Sequence, residues 1–280
     1  MEVPVGLRAD QWTTVTPRRR VLIVVHNVTT ITRLLDVLPA FDSDLRVQIV
    51  ASSSGTDPFQ HGIAEVLDEQ GIITIGWDQA RHISFDLVIS ASHHGGLADI
   101  SGPLVILSHG IGYTKYSPGN RKPETGNRKP ETGNRQTFGL SPQWVLYDGQ
   151  PIAAALGFSH EEQITRLRAV APAAEAVAEI VGDPCYDRMI ASLDRREHYR
   201  RELGTGTRTL VVVSSTWFRN ALLGSWPDLL NRMMAELPVD SFQVAVALHP
   251  NIWHGHGPWQ VRTWLADCVR AGVYSDLDGA

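Results

Sequence analysis

The sequence predicts an α/β protein with mainly parallel sheets in two domains, and three observations carry that expectation. Short β-branched and aliphatic runs alternate with stretches whose apolar residues recur at helical spacing, the pattern of βαβ units with right-handed crossovers. Four of the N-terminal runs break into loops rich in His, Ser, Asn or Gly, and polar groups converging beyond strand ends mark a functional sheet edge. A Gly204-Thr205-Gly206 linker then precedes a fresh apolar run at residues 207–213, where a second domain opens. The first domain is expected over residues 1–180 and the second over 181–280.

In chain order, residues 21–25 read as the first strand, ending in the His26-Asn27-Val28-Thr29-Thr30 loop. Thr29 or Thr30 is expected to cap a helix whose Ile31, Leu34, Leu35 and Leu38 share a face. Residues 45–51 form a second strand, ending in Ser52-Ser53-Ser54-Gly55, and a helix over 59–70 is stopped by Gly71. Residues 72–75 and 85–90 read as the third and fourth strands, the latter followed by Ser92-His93-His94-Gly95-Gly96. The fifth, 104–107, opens into Ser108-His109-Gly110. There His109 falls just beyond a strand end, and Gly110 and Gly112 let the backbone turn and a substrate approach it.

An exact tandem repeat, GNRKPET twice and then GNR, fills 119–135. Gly, Asn, Pro and alternating charges cannot bury apolar surface, so residues 117–137 are expected to form a mobile surface loop. Beyond it, 144–146 read as a short strand and 152–158 and 161–168 as helices. The stretch IVGDPCYDRMI at 180–190 has the look of a hinge, with a helix from 186 to 200.

In the second domain, the strand at 210–213 ends in Ser214-Ser215-Thr216-Trp217. A helix at 226–237 is expected to start from Ser225 with Pro227 in its first turn. The strand at 242–248 ends in His249-Pro250-Asn251, a loop carries Trp253 to Trp259, and a helix runs over 259–269. Trp217, Trp226, Trp253, Trp259 and Trp264 are expected in the core. Two clear strands are too few to close a sheet, so this domain is expected to be incomplete.

Bulk properties narrow the function classes. The 280 residues suffice for two cores, and a formal net charge of −5 with a pI near 6.1 argues against a nucleic-acid partner. Cys185 and Cys268 are too few for a disulfide framework and lack metal-ligand spacing, which fits a reducing cytosolic setting. No apolar stretch approaches a membrane span, and the polar N-terminus lacks the apolar region of a signal peptide. Arg18 to Arg20 read as a solvated entry to the first strand. His93, His94, His109, His249, His254 and His256 raise the alternative of a metal hydrolase, but no HExxH or supporting carboxylate spacing occurs and no metal or cofactor is expected. Asp183 and Asp187 read first as a turn residue before Pro184 and a helix N-terminal acid.

Taken together, the SHG loop, GDPxYDR at 182–188, SSTW at 214–217 and LHPN at 248–251 resemble the CDP-glycerol glycerophosphotransferase family, over residues 21–264. The resemblance implies the GT-B architecture, two Rossmann-like domains facing one another across a cleft. It implies that His109 acts as base on an acceptor hydroxyl, with His26, Asn27, His93, His94 and Gly110 on the acceptor side. It further implies that His249 and Ser214, Ser215 and Thr216 face the phosphates of a nucleotide-diphosphate donor, with Pro250, Asn251, Gly182 and Asp183 completing that side. The expected reaction moves a glycerophosphate-like group to a hydroxyl acceptor, which can be membrane-associated, in cell-envelope polymer synthesis. A cytosolic enzyme would meet such an acceptor peripherally at the inner membrane face. The family's later C-domain segments have no match after Cys268. That leaves two alternatives: a GT-B nucleotide-sugar glycosyltransferase or 2-epimerase-type enzyme, and an inactive nucleotide-binding remnant.

Overall fold

A computed structural model describes residues 4–108, 112–113 and 137–266. His109, Gly110, Cys268 and the heptapeptide repeat lie outside the described residues. The chain divides into two compact units, Met1–Asp187 and Arg188–Ala280.

Unit 1 is built on strands β1 (Arg19–Val25), β2 (Val47–Ser53), β3 (Leu87–Ser90), β4 (Leu104–Leu107), β7 (Ala155–Phe158) and β8 (Ala178–Ile180). They form one six-stranded sheet in the order β2-β1-β3-β4-β7-β8, parallel throughout. A two-stranded antiparallel ribbon, β5 (Leu146–Tyr147) and β6 (Gln150–Pro151), stands apart from it. The helices are α1 (Val28–Leu35), α2 (Ile63–Glu69), α3 (Trp77–Arg81), α4 (Pro142–Val145), α5 (Glu161–Val170) and α6 (Pro184–Ala191), the last crossing the unit boundary.

Covering both sheet faces explains the continuous apolar runs. Along β1, Leu22 and Val24 enter a core cluster with Ile106, Leu156 and Phe158, while Val21, Ile23 and Val25 pack in a second cluster with Ile31, Leu34 and Leu67. Successive residues of a strand point to opposite faces, so one apolar run supplies both cores.

Several expected elements differ. The stretch 152–158, expected to be helical, differs: residues 155–158 are the strand β7, inserted between β4 and β8. Burial of one strand face in the larger core overrides local propensity here, with Leu156 and Phe158 each 1% exposed. Gly157 permits the fit, because a Cβ there would lie 2.6 Å from Leu107 Cδ2. Residues 72–75 make only a bridge to β2 through Ala51 and Thr74, because Gly76 and α3 turn the chain away. The expected strand at 144–146 is mostly α4, started by Pro142. Asn27, not Thr29 or Thr30, caps α1: its Oδ1 accepts the Thr30 N–H at 3.0 Å while Thr30 Oγ1 accepts the Asn27 N–H at 3.0 Å, a reciprocal capping box.

Unit 2 contains α7 (Arg196–Glu202), β9 (Thr209–Ser215), α8 (Leu222–Ser225), α9 (Leu229–Glu236), β10 (Phe242–Leu248), α10 (Pro250–His256) and α11 (Pro258–Trp264). β9 and β10 pair in parallel around α9, a single βαβ unit among the described residues. Its core holds Val213, Leu230, Val244, Val246, Trp253, Val261 and Leu265. The helix expected at 226–237 begins only after Asp228, because Pro227 biases Trp226 out of helical geometry and Ser225 closes α8 instead. The expected loop at 253–259 is largely helical, in α10 and the start of α11. Of the tryptophans expected inside, Trp253 is buried and Trp217 half-buried, whereas Trp226, Trp259 and Trp264 are 61%, 80% and 48% exposed. On α11 the core stripe is Val261 with Leu265 one turn on, and Trp259 and Trp264 fall off it.

Candidate functional site

A wholly parallel sheet brings the carboxyl ends of its strands to one edge, which is where ligands bind in open α/β folds. In unit 1 that edge gathers His26 and Asn27 after β1, Ser54 and Asp57 after β2, and His93 and His94 after β3. Adjacency of β2, β1 and β3 in the sheet makes these loops neighbours, although 68 positions separate His26 from His94.

The loops are pinned to each other. His26 is 1% exposed; its backbone N–H donates to Thr30 Oγ1 at 3.1 Å, and its Nε2 lies 2.7 Å from the His94 carbonyl oxygen. That carbonyl can only accept, so Nε2 carries the proton. Asn27 Nδ2 donates to Asp57 Oδ2 at 2.8 Å, and Asp57 Oδ1 accepts the Phe59 N–H at 2.8 Å, which fixes the carboxylate. Gly95 closes the arrangement: at φ +89° it lies so near the β2 loop that a Cβ would sit 2.2 Å from Ser54 Oγ and 3.0 Å from His26 Nε2.

His94 projects from this frame between aromatic walls, its ring 4.7 Å from Trp144 and 5.5 Å from Phe138. Partial burial pulls its pKa below the ordinary 6.5, in part offset by the negative charge of Asp57. His93 meets the Tyr113 ring edge-on at 5.9 Å, and burial raises the Tyr113 phenol well above its ordinary value. The imidazole of His94 is therefore neutral at pH 7 and able to accept a proton or a hydrogen bond.

The unfolded chain takes up the His94 proton near pH 6.5 and the folded chain only at lower pH, so the stabilisation is complete above pH 6.5 and is lost as pH falls beneath it. Urea unfolding of the wild type between pH 7.5 and 5 should show this decline, and His94→Gln should flatten that part of the profile.

The GDP motif lies at the exit of β8. Asp183 belongs to unit 1, where Oδ1 accepts a 2.5 Å bond from Arg33 Nη1 and the Cys185 N–H at 3.1 Å. Gly182, at φ +75°, supplies the turn.

In unit 2, the ends of β9 and β10 bring Ser214, Ser215 and Thr216 beside His249, whose backbone N–H donates to the Ser215 carbonyl at 3.1 Å. Ser214 and Thr216 are exposed, while the Ser215 hydroxyl is buried, donating to the Thr216 carbonyl at 3.0 Å and accepting the Leu223 N–H at 3.3 Å. His249 Nδ1 accepts the Asn251 N–H at 3.1 Å, which caps α10 behind Pro250 and leaves the proton of the neutral ring on Nε2. The loop between is strained: Phe218 sits at φ +100°, and Gly224 approaches its carbonyl so closely that a Cβ would lie 2.7 Å away.

Thus His26, Asn27, His93 and His94 come together in unit 1, and Ser214, Ser215, Thr216, His249, Pro250 and Asn251 in unit 2. Arg33, Asp57, Phe138 and Trp144 were not anticipated. The Asp57-Pro58 pair was a readable turn signal, and Asn27 before an apolar run a readable cap. Among the described residues no group of three or more His, Cys, Asp or Glu side chains is placed to hold a metal, and no helix is long and apolar enough to cross a membrane.

No family model matches the chain, and no curated protein matches it by sequence. Solved structures do match its fold. The wall teichoic acid polymerase TagF aligns with TM-score 0.54 at 12% identity, over 86% of this chain and 58% of TagF. TagF soaked with CDPG aligns at TM-score 0.54 and 10% identity, over 86% of this chain and 57% of that one. MnaA of S. aureus in complex with UDP aligns at TM-score 0.51 and 11% identity, over 90% of this chain and 66% of MnaA. The chain thus spans about three-fifths of these proteins and shares their α/β fold.

Proposed function

We propose that this chain binds a nucleotide-diphosphate donor and takes part in group transfer to a hydroxyl acceptor, with a CDP-glycerol-type donor and a cell-envelope polymer as its setting. The observation that carries this reading is a polar strand-end edge in each unit of an α/β fold like that of TagF: imidazole-rich in unit 1, hydroxyl- and imidazole-bearing in unit 2. TagF with CDPG and MnaA with UDP support a nucleotide donor. In this reading unit 1 holds the acceptor and His109 takes the proton from its hydroxyl. The oxygen then attacks the β-phosphorus of the donor, and the nucleoside monophosphate leaves. Ser214, Thr216 and the Nε2–H of His249 hydrogen-bond the phosphate oxygens, so positioning and charge stabilisation supply most of the rate. The likeness to MnaA keeps a second donor in play, a UDP-sugar with glycosyl rather than phosphoryl transfer.

A thermal-shift screen of the purified chain against CDP, CDP-glycerol, UDP and UDP-N-acetylglucosamine tests the reading. Ligand at ~100 times its dissociation constant adds about 2.7 kcal/mol of stability, an easily visible shift. A response to cytidine nucleotides selects the glycerophosphate reaction and a response to uridine nucleotides the glycosyl one; silence from all four overturns the donor site. With a responding donor, His109→Ala should lower turnover by roughly 10²–10⁴-fold while leaving the shift intact.

A further inference from the structure

We propose that His94, Phe138 and Trp144 form a binding platform for a neutral hydroxylated ring, a sugar or cyclic polyol unit of the acceptor. The proposal rests on unit 1 being the acceptor side and adds the chemical class of what it holds.

Of the described histidines at strand carboxyl ends, His94 differs in what its ring does. His26 Nε2 is committed to the His94 carbonyl, while His160 and His249 each use Nδ1 to cap a helix. His93 lies against Tyr113 with its Nε2 buried. The His94 ring is exposed, and its neighbours are the faces and edges of Phe138 and Trp144, which themselves pack at 4.9 Å. Its backbone is held by His26 at its carbonyl and by the close Gly95–Ser54 approach at the next residue. The result is a preorganised imidazole edge set against two mutually inclined aromatic rings.

That combination matches the two-sided chemistry of a sugar. C–H faces of a pyranose pack on aromatic rings, and its hydroxyls need polar partners at the rim. Trp144 Nε1, on the wall itself, is a polar atom without a partner among the described residues. Native structures satisfy such atoms, so orphaned ones mark places where water or a ligand hydroxyl completes the set. The charge acting on His94 is the carboxylate of Asp57. A negative neighbour repels a phosphate and leaves a neutral polyol unaffected, which assigns the uncharged part of the acceptor to this platform.

The test is saturation-transfer NMR on the full chain with a panel of methyl glycosides (gluco, galacto, manno and N-acetylglucosamine) and myo-inositol, with glycerol 3-phosphate as the anionic comparison. At least one neutral ring should receive saturation from the wild type. Its affinity should fall roughly tenfold in His94→Ala, the loss of one well-placed hydrogen bond in a stacked site. Trp144→Phe, which keeps the wall and removes the indole N–H, should weaken it less. Failure of every neutral ring, undiminished binding by His94→Ala, or preference for glycerol 3-phosphate would each overturn the platform. The nucleotide screen, run on the same variants, separates the two readings. Nucleotide shifts without glycoside binding sink the platform alone, and glycoside binding without nucleotide shifts sinks the donor site alone. A His94→Ala protein that keeps its melting temperature rules out misfolding as the cause of lost binding, and His94→Asn supplies a smaller polar replacement should the alanine variant not fold.

Discussion

Replacing Arg33 with alanine should destabilise unit 1 by about 3–5 kcal/mol, the range seen when one partner of a buried ion pair is removed. The Arg33 side chain is 10% exposed and pairs at 2.5 Å with Asp183, whose side chain is 17% exposed, and at 4.0 Å with Asp36, at 5%. Truncating the guanidinium leaves two carboxylates in a poorly solvated place with their shared cation gone, and desolvation outweighs any strain released. Asp183→Asn should cost less, because the amide oxygen still accepts from Arg33 and from the Cys185 N–H. The Arg33→Ala/Asp183→Ala double variant should recover part of the loss, though Asp36 remains. Chemical denaturation with a double-mutant cycle measures all of this. A loss below about 1 kcal/mol for Arg33→Ala would mean that Asp183 is solvated and available to a ligand, as the family resemblance implied, rather than held in the fold.

The Arg33–Asp183 pair also shows what sequence could and could not disclose. The turn at Gly182-Asp183-Pro184 was legible, because each residue type carries a local mechanism. The partner of Asp183 was not, because it lies 150 positions away on α1 and nothing in a linear pattern brings α1 to the exit of β8. The same division runs through the sheet. β1, β4 and β10 declare themselves through dense β-branched runs, and the strand-end histidines follow from them. Residues 72–75 have equal apolar content yet form only a bridge, because Gly76 and α3 redirect the chain before a second pairing can form. At the candidate site, His26, Asn27, His93 and His94 were readable as strand-end polar residues. Their division of labour was not: His26 holds the frame, and His94 faces outward. That depends on which strands are neighbours, a property of the order β2-β1-β3 rather than of any one loop.

Phe158→Ala should cost about 3–5 kcal/mol, the usual loss for deleting a fully buried aromatic side chain and leaving a cavity. Phe158 is 1% exposed, belongs to the larger core cluster of unit 1, and meets the Tyr113 ring at 5.4 Å. Its backbone is paired to Ile180 of β8, and two residues earlier Leu156 pairs with Ile106 of β4, so the residue ends a strand locked on both sides. Relaxation into the cavity is therefore restricted, which places the cost at the upper part of the range. Were residues 152–158 a helix with Phe158 on a partly solvated face, the same substitution would change stability by no more than about 1 kcal/mol. Urea denaturation of the variant decides between the two. Phe158→Leu, which refills most of the volume, should restore more than half of the loss in a packed strand. A Tyr113 ring deprived of its Phe158 contact should also shift its near-ultraviolet circular dichroism, linking the core to the wall that flanks His93.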